Sequence, residues 1–273
     1  MEYRALSAEE FDDISSRILH EDNHLLIFNK RAGEIVQGDK TGDEALVETL
    51  KAFIAARDRK PGKVFLGVPH RLDRPVSGIC VFAKTSKALE RLNAMFREGW
   101  VHKTYWALCA DGGVLGPGAG EEITQGTIPE VGKGEAQGIV IESGKGETKG
   151  TGQDFGWTLL ENALVRNEKQ NKSYVAPEGA KNAKMARLKC RVLGSTRRYK
   201  LVEVELLTGR HHQIRCQLSH IGYIIKGDLK YGAPRSNPDG GICLMARRIR
   251  FEHPVNHSAV DVLAPLPSSW PIR

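Results

Sequence analysis

Apolar positions along the chain fall into short runs with two different periods. Residues 24–30, ending in Leu-Ile-Phe-Asn-Lys30, read as a strand, and residues 45–59 carry Leu46, Leu50, Phe53 and Ile54 at helical spacing. Residues 64–68 and 78–83 are short, β-branched and aromatic, the pattern of two strands joined by a link. Ser86 can cap a helix running to about Glu98, with Leu89, Leu92, Met95 and Phe96 on one face. Residues 103–109 read as a further strand. Residues 186–193 and 199–207 predict a hairpin around Gly194-Ser-Thr196, and in its second arm Val202, Val204 and Leu206 alternate with Glu203 and Glu205. A helix is expected over 210–220 and a late strand over 242–251. This mixture lacks the regular βαβ alternation of a doubly wound sheet.

Glycine is frequent from 111 to 156, with Pro117, Pro129 and many lysines and glutamates. That stretch is expected to be a long excursion within one domain over 17–273, because neither flank looks self-sufficient. Residues 1–16 read as an N-terminal extension. No run approaches the roughly eighteen apolar residues of a membrane span, and the acidic N-terminus has no signal-like apolar region. The five cysteines, Cys80, Cys109, Cys190, Cys216 and Cys243, stand singly with no CxxC pair. They point to a reducing, cytoplasmic setting, and away from a disulfide framework or structural zinc.

The formal charge of +7 favours a polyanionic partner, and its distribution says more. Lys181, Lys184, Arg187, Lys189, Arg191, Arg197, Arg198 and Lys200 gather around the predicted hairpin, and Arg247, Arg248 and Arg250 near the end. Few acids interrupt these runs, which favours phosphate contact over merely solvated strand faces.

The link between 68 and 78 holds the most suggestive chemistry. It carries His70, Arg71, Asp73, Arg74, Pro75 and Gly78. Pro75 fixes one φ, and Gly78 opens backbone conformations closed to other residues. A carboxylate on a stiff turn beside two arginines should stay ionised, and the arginines suit phosphate. The plainer alternative is a turn bearing a surface Arg–Asp pair. No GxGxxG opens a helix and no GxxxxGK(S/T) loop occurs, so no nucleotide cofactor is implied.

Three segments stand in order along the chain: His70-Arg-Leu-Asp73 with Ser77-Gly78; Lys103-Thr-Tyr105; and Thr208-Gly-Arg-His-His-Gln-Ile-Arg215, followed by Gly227-Asp-Leu-Lys-Tyr-Gly232. Together they resemble the RluA family of pseudouridine synthases over nearly the whole chain. The resemblance implies an α/β (α+β) pseudouridine synthase fold with a mixed, mainly antiparallel sheet, flanking helices and a basic cleft. It implies Asp73 as catalytic nucleophile, Tyr105 as active-site tyrosine and Arg215 as partner of the catalytic carboxylate. Substrate contacts are expected from His70, Arg71, Arg74, Arg210, His212, Gln213, Lys184 and Arg187. Arg71 matches a position suited to filling the gap left by a flipped base, and His70 to bracing the turn. The chain departs from the family at Pro75-Val76, where a threonine usually precedes Ser-Gly, at His211, and at Arg31 after Lys30.

The implied reaction breaks the N1–C1′ bond of uridine and rejoins the base through C5. It consumes no water and moves no net electrons, so no redox cofactor is expected; His211, His212 and His220 have no acid or cysteine at ligand spacing, so no metal is expected either. A glycosidase would need a second carboxylate to manage water, and no motif places one. A catalytically silent RNA-binding protein on the same scaffold is the remaining rival. About sixteen residues precede the first family-like strand, so the N-terminal S4 domain of some relatives is not expected here. RNA, tRNA or ribosomal, is then expected to bind the catalytic domain of a monomer directly.

Overall fold

Residues 3–38, 42–59, 61–110, 156–177 and 179–272 are described by a computed structural model, so the Gly-rich excursion lies, but for Gly156, outside the described residues. In chain order the elements are α1 (Ala8–Ser16), β1 (Ile18–Glu21), β2 (Leu25–Lys30), α2 (Leu46–Arg57), β3 (Ser77–Ala83), α3 (Ser86–Glu98), β4 (His102–Ala110), β5 (Thr158–Asn167), β6 (Lys172–Ala176), β7 (Lys184–Ser195), β8 (Tyr199–Leu206), α4 (Gln213–His220), β9 (Leu244–Glu252) and β10 (Ala259–Leu263). The chain divides into two compact units, Met1–Lys103 with Pro238–Pro267 and Thr104–Asn237 with Ser268–Arg273.

In the first unit β2 pairs antiparallel with β1 and with β3, while β3 also pairs parallel with β9 and β10 closes on β9. The run Leu25-Leu-Ile-Phe28 is wholly buried, as are Leu50 and Phe53 of α2 and Leu92 of α3. An uninterrupted apolar run is what a strand covered on both faces requires. The supposed extension holds α1, whose Ser7 and Glu10 form a reciprocal capping box. Its Phe11 ring lies 4.6 Å from that of Phe53. Thr85, one residue before the expected cap, caps α3 through Ala88 N–H.

Residues 64–68 do not form the expected strand. Only Gly67 bridges β3, exchanging both backbone bonds with Ala83 at 2.8 and 2.9 Å. Continuing that ladder would set residue 69 opposite Val81. Residue 69 is proline, which has no N–H to give, and Val81 N–H is already taken by His70 Nε2 at 2.9 Å.

Gly78 sits at φ +104, and a Cβ built there would lie 2.3 Å from the Ala246 carbonyl oxygen of β9. Strain and overlap with backbone act together, so Gly78→Ala is expected to cost at least about 3 kcal/mol in urea unfolding. A loss below about 1 kcal/mol would mean that the β3–β9 contact is looser than described.

The second unit is an antiparallel sheet in the order β4-β8-β7-β5-β6. The expected hairpin is β7–β8, with a bulge between Val192 and Gly194. Register sets Tyr105 against Val204 and Val204 against Cys190, all on one face. Leu164 and Ala186 of the sheet share a buried cluster with Cys216 of α4 and with Tyr231. The helix expected from 210 begins only at Gln213, because His212 takes a left-handed conformation at φ 50. Residues 210–212 instead make a tight turn, closed by the bond from Gln213 N–H to Arg210 C=O at 3.1 Å. The five cysteines are buried and form no disulfide among the described residues. No described helix is long and apolar enough to cross a membrane.

Candidate active site

In the first unit the turn bearing Asp73 is fixed by its backbone. Asp73 C=O accepts Val76 N–H at 3.0 Å, Arg74 C=O accepts Gly33 N–H at 2.8 Å, and Pro75 C=O accepts Ile242 N–H at 3.0 Å. Beneath it lies Lys30, only 1% exposed at the end of β2. Its Nζ donates to the carbonyls of Val76 (2.7 Å), Arg31 (2.9 Å) and Arg74 (3.1 Å), with that of Asp73 at 3.4 Å. One buried ammonium thus gathers carbonyls around the Asp73 turn. The sequence reading gave Lys30 no role, because its partners other than the adjacent Arg31 lie 43 to 46 residues away.

Burial lowers the pKa of Lys30 from 10.5 to about 8, against the opposing pull of Cys80, Glu34 and Asp73. A lysine whose folded pKa is depressed penalises folding while charged, and the penalty fades as pH rises through the folded towards the unfolded value. Wild type is therefore expected to gain stability relative to Lys30→Met between pH 8 and 10.5. The displacement corresponds to about 3 kcal/mol. Unfolding free energies measured across that window check it, and parallel curves for the two proteins would refute it.

His70 is turned to structure. Its ring stacks on Phe96 with centroids 4.7 Å apart, and its Nε2 accepts the Val81 N–H. Burial, aided by Lys103, lowers its pKa to about 3, which keeps Nε2 an acceptor. Arg71 is exposed, Asp73 half-buried, and exposed Arg74 pairs with Asp43 at 2.6 Å.

The second unit holds Tyr105, Arg215 and the remaining expected residues. Tyr105 is 7% exposed on β4, and the following Trp106 is fully buried. Arg215 is 5% exposed on α4, and its Nε and Nη2 donate to Asp228 Oδ2 and Oδ1 at 2.7 and 2.8 Å. Its guanidinium carbon also lies 5.1 Å from the Tyr231 ring centroid. Asp228, 1% exposed, belongs to the Gly227–Gly232 motif and so corrects the reading that no motif places a second acid. Being bound side-on to Arg215, it is held as a counter-charge. The signal that could have found it is an acid in a motif beginning twelve residues after Arg215.

Around Arg215 the polar side chains brace one another. His212 Nδ1 lies 3.1 Å from Tyr231 OH, and its ring stacks on His211 at 3.8 Å. Burial, then Arg215, lowers the His212 pKa to about 2. Tyr231 OH in turn accepts Ser173 N–H at 2.9 Å. Gln213 Oε1 accepts Thr208 Oγ1–H at 2.8 Å and Arg210 N–H at 2.9 Å, while Nε2 donates to Arg187 C=O at 3.0 Å. Arg210 Nε donates to Met185 C=O at 2.9 Å. Lys184 stands exposed at the start of β7.

The acids missing from the basic runs arrive across the sheet. Arg187 pairs with Glu161 at 2.6 Å, Arg191 with the buried Glu203 at 2.7 Å, and Arg248 with Asp261 at 2.5 Å. Each contact joins neighbouring strands, which linear sequence does not display.

Comparison with known proteins agrees with the motifs. A profile of the RNA pseudouridylate synthase family matches residues 24–220. The ribosomal large subunit pseudouridine synthase C of Vibrio parahaemolyticus is 28% identical over 263 residues, covering 94% of this chain and 67% of its own. That of Vibrio cholerae is 29% identical over 255 residues, covering 91% and 65%. Ribosomal large subunit pseudouridine synthase D of Xylella fastidiosa is 28% identical over 269 residues, covering 93% and 67%. The chain thus spans about two thirds of the length of these relatives. The solved structure of human RNA pseudouridylate synthase domain containing 4 has the same fold, with a TM-score of 0.68 at 22% identity over 94% of this chain and 91% of that one. Profile, motifs and fold agree: the chain belongs to the RNA pseudouridylate synthase family, of the RluA type.

Proposed function

We propose that the protein isomerises uridine to pseudouridine in structured RNA, with Asp73 as the nucleophile. The observation that carries this reading is the presence of Asp73, Tyr105 and Arg215 at the family's motif positions in a chain matched over residues 24–220. The relatives are named for the large ribosomal subunit, which favours ribosomal RNA over tRNA as the substrate. The cytoplasm is the corresponding location.

The chemistry asks little beyond these side chains. N1–C1′ breaks, the freed base turns over, C5–C1′ forms, and the C5 proton leaves to solvent while N1 takes up a proton. The carboxylate of Asp73 serves attack at C1′, attack at C6, or abstraction of a proton. A paired base must first leave its stack to reach it. Arg215 would keep Asp73 ionised and oriented. Asp228, bound to the Arg215 Nε and Nη2, would hold that guanidinium in one orientation for this task. Tyr105 offers a flat face to uracil and a hydroxyl for a hydrogen bond or proton. Arg71, exposed two residues before Asp73, would occupy the space of the departed base.

RNA transcribed with uridine tritiated at C5 tests the reaction. The protein is expected to release tritium to water and leave pseudouridine in the digested RNA. Intact uridine after prolonged incubation with ribosomal and transfer RNA would contradict it.

A further inference from the structure

Beyond the residues assigned above, the second unit contains a cavity of about 260 Å³ with an unusual lining. Its polar side chains are those of Tyr199, Lys226, Arg235, Ser236 and Asn237, and the apolar remainder includes Ile224. Among the described residues no carboxylate lines it. Two cations, a hydroxyl and an amide suit a phosphate, while Tyr199 supplies an aromatic ring suited to a planar base. The volume lies just below the roughly 300–1,000 Å³ of sites for drug-sized molecules, so it suits a single nucleotide better than anything larger.

The walls are held in place from the backbone. Tyr199 opens β8, and its C=O accepts Thr196 N–H at 2.7 Å. Lys226 N–H donates to Leu108 C=O at 2.9 Å, and Lys226 Nζ reaches Asn237 Oδ1 at 2.5 Å. That bond uses one of the three donors of an ammonium. Gly227, also in the lining, directly precedes Asp228, the residue that grips Arg215. The cavity lining is therefore joined through the chain to Asp228, which supports a proposed catalytic residue.

We propose that this cavity is a subsite for a nucleotide of the RNA other than the target uridine, its phosphate on Lys226 and Arg235 and its base against Tyr199. The RNA substrate is taken from the function proposed above, so the site would add context recognition to that reaction. One nucleotide held here would anchor the strand beside the loop that carries Asp228, and favour substrates in which a flanking nucleotide can splay away from its neighbours.

The test uses the full chain and a probe that needs no catalysis. Uridine 3′,5′-bisphosphate is titrated by NMR into wild type, Arg235→Gln and Tyr199→Leu, with inorganic phosphate and unphosphorylated uridine as separate arms. Thermal melts of each variant confirm folding. The bisphosphate is expected to bind wild type at least about 10-fold more tightly than phosphate or uridine alone, and each variant to weaken it about 10-fold. Arg235→Gln should also flatten the salt dependence of binding to a short RNA by about one phosphate contact. Equal binding to wild type and both variants, or no binding of the bisphosphate, would overturn the proposal. Binding that depends on Arg235 in a protein releasing no tritium would keep the subsite and refute the isomerase. Full isomerase activity with binding indifferent to Arg235 and Tyr199 would do the reverse.

Discussion

Asp73→Asn is expected to lower the isomerisation rate by at least about 10⁴-fold while leaving RNA affinity and melting temperature nearly unchanged. The substitution keeps the side-chain shape and removes the charge that makes the group a nucleophile. The turn survives because its supports are backbone atoms: the Asp73 carbonyl receives Val76 N–H, and Lys30 gathers its neighbours. Arg215 remains neutralised by Asp228, so no buried charge is stranded. Single-turnover tritium release, filter binding and a thermal melt separate the three quantities. A variant within tenfold of wild type would remove Asp73 from the chemistry. A parallel collapse of affinity or stability would make its role structural.

Asp228→Ala is expected to destabilise the protein by about 3–5 kcal/mol and to suppress activity as well. Arg215 is 5% exposed and Asp228 1%, so truncation takes a bidentate carboxylate away from a buried guanidinium. Asp228 also organises its loop, since its C=O accepts Tyr231 N–H and Ala233 N–H, each at 3.0 Å. Those backbone bonds persist in the variant, so the loss reports the charge pair. Replacing both partners, Arg215→Met with Asp228→Leu, is expected to recover much of the stability and none of the activity. Urea unfolding beside tritium release reads both effects. A loss below about 1 kcal/mol for the single variant would show that Arg215 does not depend on Asp228.

Much of the fold was legible because its strands and helices carry their own periodicity. β2, α2, α3, β4, the β7–β8 hairpin and β9 all follow from local apolar pattern. Residues 64–68 have the same composition as a strand, yet Pro69 and the His70 ring end the ladder after one bridge. That outcome depends on where a side chain eleven residues from Val81 points, which pattern does not encode. β5 and β6 escaped notice because Glu161, Asn162, Arg166 and Asn167 interrupt one and the other has five residues. β10 does alternate, with Val260 and Val262 around Asp261, and its five residues next to Asn256-His-Ser258 were passed over. α1 had a readable signal in Ser7 and Glu10.

The candidate site was legible by residue type and obscure by partner. Asp73, Tyr105 and Arg215 stand in contiguous motifs, and motifs survive reading in one dimension. Gln213 was expected to face RNA, but its amide is bonded at both ends within the fold. His212 likewise rests on Tyr231, and Arg187 on Glu161. The residues the sequence passed over, Lys30 and Asp228, are buried ions whose value lies in what they hold. A buried charge is intelligible only once its partners are seen.

The central claim is most directly tested by incubating wild type and Asp73→Asn with unmodified ribosomal and transfer RNA, then mapping pseudouridine by carbodiimide-dependent reverse-transcription stops. Stops at defined uridines with wild type, absent with Asp73→Asn, are the predicted result. The same stops with both proteins, or none with wild type although it binds the RNA, would contradict an isomerase acting through Asp73.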